Sequence, residues 1–429
     1  MKNILIIYPH WPPSNLAGVH RPRLIGNYLK DLGWETTILT IHEKYYEEKL
    51  DPNICKTVSD NIKVVKTKAF PVIKPRIIGD IGLRGGYFLY KKALQLIKQN
   101  HYDFVWIPIP SFYVALIGRL LHEKTNIQYG IDYIDPWVRD IHNRRNWRST
   151  ISLKLAEFLE PIAVKKASLI SGVSFEYYKP VLERNFSDYI SAKEKNINYI
   201  NPHTGKLLID VAMPYGFDPN DHEIKLENIN FPWAENEIPF IYAGAYLPNS
   251  RLFMEEFMRN LGELHCKNQL PENYKFYFLG TGNYLGTTIQ ELSIKYGVES
   301  FVIEIRERFS FIEILNFLSN VSGILIIGST EKHYTASKTF QAIMANKKIF
   351  SIFHSKSSAI ECMSLCNVKK YTVEYNASNS DWISSFKEKL NSFLFDNDKW
   401  ESDTNTLTKE YSSYNSAKQL VDCIKKLEY

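Results

Sequence analysis

Cysteine is scarce in this 429-residue sequence. The five present, Cys55, Cys266, Cys362, Cys366 and Cys423, are odd in number, scattered, and contain no C-x-x-C pair. That excludes a disulfide framework and a structural zinc site, and it fits a reducing compartment. Long apolar runs are also missing. The longest, Phe104 to Leu121, is interrupted by Pro108, Pro110 and Arg119, so it reads as a strand followed by a helix rather than a membrane span. No histidine pair has zinc spacing, and no basic motif with a known docking geometry appears, which argues against nucleic acid as a partner. Met1-Lys2-Asn3 runs directly into Ile4-Leu5-Ile6-Ile7, a short strand rather than the apolar core of a signal peptide. The expectation is a cytoplasmic protein. A formal charge of +5 allows peripheral attraction to the anionic inner membrane face without requiring it.

The composition is that of an ordinary globular chain, 45% hydrophobic and 23% charged, though rich in aromatics with 27 Tyr and 24 Phe. A chain of this length exceeds what one core usually serves, so two domains are expected. Asn3 to Tyr8 is an apolar strand. A Pro-rich loop follows, then a helix over 22–32 that places Leu24, Ile25, Tyr28, Leu29 and Leu32 on one face. Pro22 suits its first turn and Gly33 the left-handed position beyond its end.

The strand Glu35 to Thr40 completes a βαβ unit. Further strands are predicted at 62–67, 103–107, 127–132 and 169–173, with helices at 87–99, 111–122 and 149–166. Parallel strands need such crossovers, so the pattern predicts a doubly wound sheet. Residues 185–206 are polar and without a period, and they read as a surface excursion before a strand at 207–213. A second series begins after 218–237, with strands at 240–243, 275–279, 301–305, 324–327 and 348–352. Helices at 251–264, 284–296, 310–319 and 337–345 alternate with these strands, and 405–427 reads as a closing helix. The predicted organisation is an N-terminal Rossmann-like domain over 1–214, a second over 215–404, and a C-terminal helix over 405–429. Two such sheets on one linker would face each other across a cleft, with ligands beyond the carboxyl ends of the strands.

Several segments, in this order and spacing, resemble retaining glycosyltransferases of family four, which have the GT-B fold. They are Ile4 to Pro13 with Gly18-Val19-His20-Arg21-Pro22 and Leu32-Gly33-Trp34-Glu35, Asp132-Tyr133-Ile134-Asp135-Pro136-Trp137, and Met213-Pro214-Tyr215-Gly216-Phe217-Asp218. In the second half they are Ile241 to Gly244, Phe278-Leu279-Gly280-Thr281-Gly282, and Thr335 to Lys348, which resembles that family's nucleotide-holding element. Three departures stand out: Gln341 replaces the family's Glu, Asn346-Lys347-Lys348 replaces Gly-Lys-Pro, and no basic residue directly follows Gly244.

Gly18, between strand and helix, is either a close-approach point for a sugar diphosphate beside free helix N–H groups or a plain turn glycine. His20 and Arg21 either face the cleft or cap and solvate the helix start. Asp135 is either a carboxylate for sugar hydroxyls, with Trp137 against a ring face, or the Asp of an Asp-Pro turn; Asp132 is the second choice. Ser337 and Lys338 open a helix where N–H groups and an ammonium converge on a diphosphate, or they are an N-cap and a solvated lysine. Gln341 is placed to bond a ribose hydroxyl. Arg251 and Arg306 follow strands and suit phosphate oxygens, or they are surface charges. Gly280 and Gly282 belong to a strand-loop unit of the donor domain, and Tyr334 is a candidate to stack there. Asp396-Asn397-Asp398 resembles a D-x-D metal motif, but its position favours helix capping.

The resemblance implies transfer of a glycosyl group from a nucleoside-diphosphate sugar to a glycan or lipid-linked acceptor. It implies retention of configuration and no metal or other cofactor. Asp135, Arg251 and Lys338 are the residues expected to carry the chemistry. The segment Lys74 to Lys98 mixes lysines and arginines with aliphatic and aromatic residues. It is either a membrane-interface element or a helix covering the first sheet.

Overall fold

A computed structural model of the chain describes residues 1–72, 79–138, 147–331 and 338–427. The chain divides into two compact units. One comprises Met1–Asp218 and Ser413–Tyr429, and the other Pro219–Ser412.

In the first unit the elements run β1 (Lys2–Ile7), α1 (His20–Leu29), β2 (Trp34–Ile41), β3 (Lys63–Thr67), α2 (Ile81–Gln99), β4 (Phe104–Ile109), α3 (Ala115–Thr125), β5 (Tyr129–Tyr133) and α4 (Trp147–Val164). They continue with β6 (Leu169–Gly172), α5 (Phe175–Asn185), α6 (Tyr189–Glu194), the short strands β7 (Ile200–Asn201) and β8 (Lys206–Leu207), and β9 (Ile209–Ala212). Seven strands form one parallel sheet in the order β3-β2-β1-β4-β5-β6-β9. Right-handed crossovers, the rule for parallel strands, place α2, α3, α4 and α5 on one face. There Leu89, Ala93, Leu121 and Leu182 pack with Ile107 and Ile131 in one core. Helix α1 lies on the other face with Ile4, Ile6 and Trp106. Gly33 takes the expected positive φ of 85° just before β2.

The second unit runs β10 (Ile238–Ala243), α7 (Arg251–Cys266), β11 (Tyr274–Leu279), α8 (Ile289–Lys295), β12 (Val302–Ile305), α9 (Phe311–Ser319), β13 (Gly323–Ile327) and α10 (Lys338–Met344). It ends with β14 (Lys348–His354), α11 (Ser358–Leu365), β15 (Thr372–Tyr375), α12 (Asp381–Phe395) and α13 (Thr404–Tyr411). Its six-stranded sheet is also parallel, ordered β12-β11-β10-β13-β14-β15. The aromatic surplus of the sequence concentrates in its core, where Phe240, Phe257, Phe276, Phe350, Phe386 and Phe393 meet edge-on or offset. Helices α8 and α9 each begin with a capping box, Thr288 with Glu291 and Ser310 with Glu313. Both are the Ser/Thr-x-x-Glu pattern that satisfies two end N–H groups at once.

Three sequence expectations change. The stretch 185–206, read as irregular, contains α6 and the β7–β8 hairpin. Elements α5, α11, α12 and β15 had no place in the predicted series. The closing helix expected over 405–427 is two helices, because Ser412 is extended at ψ 156°. Ser413, which starts α14 (Ser413–Lys426), bonds the Phe217 carbonyl oxygen through both its N–H and its hydroxyl. Helix α14 packs beside α1 through Ala417, Leu420, Val421 and Ile424. The chain therefore leaves the first unit at 218 and returns to it at 413, where the sequence reading had a single boundary at 214 and a separate tail.

Candidate active site

In each sheet the strand order reverses between two neighbours, β1 and β4 in the first unit and β10 and β13 in the second. Ligands of open parallel sheets sit beyond the carboxyl ends at such reversals.

In the second unit, Gly244 follows β10 with φ 128°. A Cβ there would stand 2.4 Å from Lys338 Cε, so only glycine leaves room for the lysine to lie across the backbone. Lys338 opens α10, the helix after β13, so the two halves of the reversal meet at this pair. Its Nζ donates to Tyr242 Oη at 3.2 Å and sits 4.4 Å from the Tyr242 ring centroid. The Arg306 guanidinium lies 4.6 Å from the Tyr284 ring centroid, and its Nε is buried without a hydrogen-bond partner. Tyr246 stands edge-on to Tyr284 at 4.7 Å with its own hydroxyl buried and unpartnered. Burial and Tyr284 push the Tyr246 phenol pKa up, while nearby Arg251 pulls it down. Arg251 is exposed at the first residue of α7 and donates to Thr287 Oγ1 at 2.6 Å. Three cations thus surround a tyrosine cluster at the carboxyl edge of one sheet.

The glycines of the next loop have a different task. Gly280 and Gly282 have φ 70° and 76°, and their N–H groups donate to the Ile305 and Arg306 carbonyls at 2.8 and 3.1 Å. Between them Thr281 and, nearby, Tyr284 donate to Glu304 Oε1 at 2.6 and 2.8 Å. These glycines turn the chain and tie β11 to β12; their amides are already engaged. Gln341 Oε1 lies 2.6 Å from His222 Nε2, so the side chain expected to meet a ribose is held by an imidazole from residues 219–223, a partner no spacing in the sequence announced. Tyr334 and Ser337 lie outside the described residues.

In the first unit Arg21 is fully buried. It donates through Nε and NH2 to Asp132 at 2.9 and 3.1 Å, and through NH1 to the Pro214 carbonyl at 2.6 Å. Asp132 accepts a further bond from Ser171 Oγ at 2.7 Å. This pair cross-braces α1, β5, β6 and the end of the unit, and neither residue presents a surface to a ligand. Asp218, from the Met213–Asp218 motif, is likewise buried and accepts from Tyr28 Oη at 2.7 Å. Trp137 is buried and stacks on Phe112 at 5.8 Å and 9°, so packing takes the ring face expected for a sugar. Gly18 has its own constraint: a Cβ would fall 2.0 Å from Tyr8 Oη. Tyr215 donates to the Ala17 carbonyl. Asp135 is half-buried within electrostatic reach of both tyrosines and, with their burial, raises their phenol pKa values. His20 is half-buried, and burial together with Arg23 lowers its pKa to about 3, so it is neutral.

A further pair at the β1 end went unread in the sequence. His10 Nδ1 bonds Glu48 Oε1 at 2.9 Å, and Ser14 Oγ donates to the same oxygen. Burial works to raise the Glu48 pKa, but these bonds prevail and hold it at about 2. With Nδ1 held by a carboxylate, Nε2 has no hydrogen-bond partner among the described residues. That arrangement orients an imidazole as a proton acceptor. Asp80 lies close enough to feel His10; its pKa is raised by burial, and it caps α2 through Leu83 N at 2.7 Å. Asp396 and Asp398 both pair with Lys370 beyond the end of α12. Among the described residues no cluster of three or more His, Cys, Asp or Glu side chains is arranged to hold a metal ion.

No family model and no curated protein matches this sequence. Solved structures do match along the whole chain. A glycosyltransferase from Rickettsia africae ESF-5 is 14% identical with a TM-score of 0.56, covering 99% of this chain and 98% of its own. Anabaena Alr3699/HepE in complex with UDP and glucose is 12% identical with a TM-score of 0.58, covering 100% of both chains. A putative UDP-N-acetylglucosamine 2-epimerase from Listeria monocytogenes is 10% identical with a TM-score of 0.54, covering 99% and 96%. At these identities the likeness establishes the fold, two Rossmann-like units of the GT-B class.

Proposed function

We propose that this chain is a glycosyltransferase that moves a sugar from a nucleoside-diphosphate donor to a glycan or lipid-linked acceptor. The observation that carries the reading is Lys338 laid across Gly244 and on Tyr242 at the strand reversal of the second unit, with Arg251 near Tyr246 and Arg306 on Tyr284 beside it. Breaking a bond to a nucleoside diphosphate puts negative charge on the departing phosphate. Preorganised cations there stabilise the transition state more than the ground state. An ammonium over the backbone and a guanidinium on a ring suit that charge, one as a point donor and one as a planar fork. The acceptor side is assigned to the first unit, with Asp135 near Tyr8 and Tyr215 and Gly18 against Tyr8. A glycosyltransferase that shares the whole fold, and a second protein of that fold solved with UDP and glucose bound, support the donor class. Metal-independent chemistry, bacterial polysaccharide or glycan assembly, and peripheral membrane contact complete the reading.

Retention of configuration follows from the family resemblance, and in a retaining transfer the departing phosphate takes the acceptor proton. A second stereochemical reading has an observation of its own. The His10–Glu48 pair supplies an oriented base, and a base that deprotonates the acceptor for attack from the opposite face gives inversion. The anomeric configuration of the product, read by proton NMR, separates the two.

The test of the function itself begins with binding. Of UDP, GDP, dTDP and the monophosphate CMP, one of the three diphosphates should raise the melting temperature, because a ligand that binds only the folded state stabilises it. The matching nucleotide sugar should then release its diphosphate. Isomerisation of the donor sugar without transfer would shift the assignment to an epimerase, whose fold this chain also shares. Binding without turnover would make the protein a silent GT-B module, consistent with Gln341 where the family has Glu. No binding by any of the four would remove the donor site.

A further inference from the structure

Helices α2, α3 and α4 form one layer on the first sheet, and their inner faces fill a continuous core. Their outer faces are unusual. Large apolar side chains of a water-facing helix are normally single and scattered, yet α4 exposes Ile151 at 56%, Leu155 at 37%, Phe158 at 67% and Ile162 at 39%. Those positions recur at intervals of three and four residues, so they lie along one stripe of the helix. Leu120 on α3 and Leu83 and Tyr87 on α2 are exposed in the same layer. On the opposite face of the sheet, α1 and α14 expose only Tyr414 among large apolar residues.

The exposed charges of the layer are mostly positive. Lys91, Lys98, Lys124 and Lys154 are exposed on these helices, while α2 contains no acidic residue. Exposed acids on the three helices are Glu123, which pairs with Arg119 at 2.7 Å, and Glu157. An apolar stripe in a helical layer that carries more exposed lysines than acids is the pattern of a surface lying in a bilayer interface. The apolar residues enter the acyl boundary while the ammonium groups reach the anionic headgroups. Among the described residues no helix is long and apolar enough to cross a membrane.

We infer that the outer face of α2, α3 and α4 is a docking surface for an anionic lipid bilayer, with the α4 stripe as its apolar contact. The helices begin at the carboxyl edge of the sheet, and the loop before α4 carries Asp135. Docking therefore brings the side of the unit assigned to the acceptor next to the headgroups. The surface stands on its own exposure and charge and does not depend on the transferase reading. It takes in the α2 part of the segment Lys74 to Lys98 and adds the α4 stripe; Lys74, Arg76, Ile77 and Ile78 of that segment lie outside the described residues.

The experiment is co-sedimentation of the full chain with vesicles of phosphatidylcholine, alone or mixed with phosphatidylglycerol. Binding to the mixed vesicles, weakening with salt and absent on the neutral ones, is the expected result. Leu155→Ser combined with Phe158→Ser should reduce binding about tenfold or more while leaving the melting temperature unchanged, because both side chains face solvent. Leu365→Ser, an equally exposed leucine of the second unit, should have no effect. Absence of vesicle binding overturns the inference, and so does binding that survives the double substitution. A dimer in sedimentation velocity that the double substitution dissolves would also overturn it, by making the stripe an interface between two copies of the chain.

Discussion

Three arginines of the first unit lie buried, whereas Arg251 and Arg306 of the second keep their guanidinium groups at the sheet edge, exposed or half-exposed. Arg21, Arg23 and Arg84 are at most 5% exposed. They bond carbonyls of Pro214, Thr57, Phe70 and Tyr45, or the carboxylate of Asp132. Arg251 is exposed, and the Arg306 side chain is 39% exposed with its nearest carboxylate, Glu304, at 3.8 Å. The same side chain therefore serves two ends. A guanidinium out of water must find its partners inside the protein, and it then holds elements in register. One at a sheet edge with few internal partners keeps donors for a ligand. Position relative to the strand reversal does not distinguish the two, since both kinds stand near one; burial and bonding do.

The sharpest way to break this contrast is at the buried end. Arg21→Ala leaves the fully buried Asp132 carboxylate without its guanidinium partner, with the Ser171 hydroxyl still donating to it. The expected loss of stability is about 3–5 kcal/mol, read from urea unfolding of the intact chain. Removing the carboxylate as well, with Asp132→Ala, should restore part of that loss, because the penalty is that of an unpaired charge. Equal loss in the single and double variants would mean that the pair acts through packing alone. The donor end should give the opposite outcome. Lys338→Ala is expected to slow release of the nucleoside diphosphate about 10²–10³-fold, the usual cost of removing one preorganised charge donor. Its melting temperature should stay within a degree or two, since an exposed-edge contact contributes little to the fold. An unchanged turnover number would remove Lys338 from the chemistry.

How far the sequence showed all this follows from the range of each signal. Alternating apolar runs are local, so both parallel sheets and most crossovers were legible. The positions of Arg251 and Lys338 at helix starts were legible for the same reason. Arg21 and Asp132 were each noticed, yet 111 residues separate them, and nothing short-range says that they pair inside the core. The His10–Glu48 contact spans 38 residues and the His222–Gln341 contact 119, both across irregular segments where no period operates. Trp137 was misread because an aromatic that packs on Phe112 and one that packs on a sugar look alike in one dimension. The closing helix was split because Ser412 and Ser413 have no strong breaking propensity. Only the bonds to Phe217 fix the break.

The smallest expected effect tests the burial argument on a titratable group of the first unit. His20 has its pKa lowered from 6.5 to about 3, first by burial and then by Arg23, whose NH2 lies 3.3 Å from His20 Nδ1. The unfolded chain takes up a proton near pH 6.5, and the folded chain refuses it until far lower. Between those values the unfolded state binds more protons, so stability is full above about pH 6.5 and falls as pH drops toward 3. The slope contributed by one such group is at most about 1.4 kcal/mol per pH unit. His20→Gln removes the titration while keeping an acceptor for Arg23. The fall in melting temperature between pH 7.5 and 5.5 should therefore be about 1–3 °C smaller in the variant than in the wild type. Identical falls would mean that His20 reaches water in the folded protein, and that the neighbouring Arg23 is less enclosed than the arginine contrast requires.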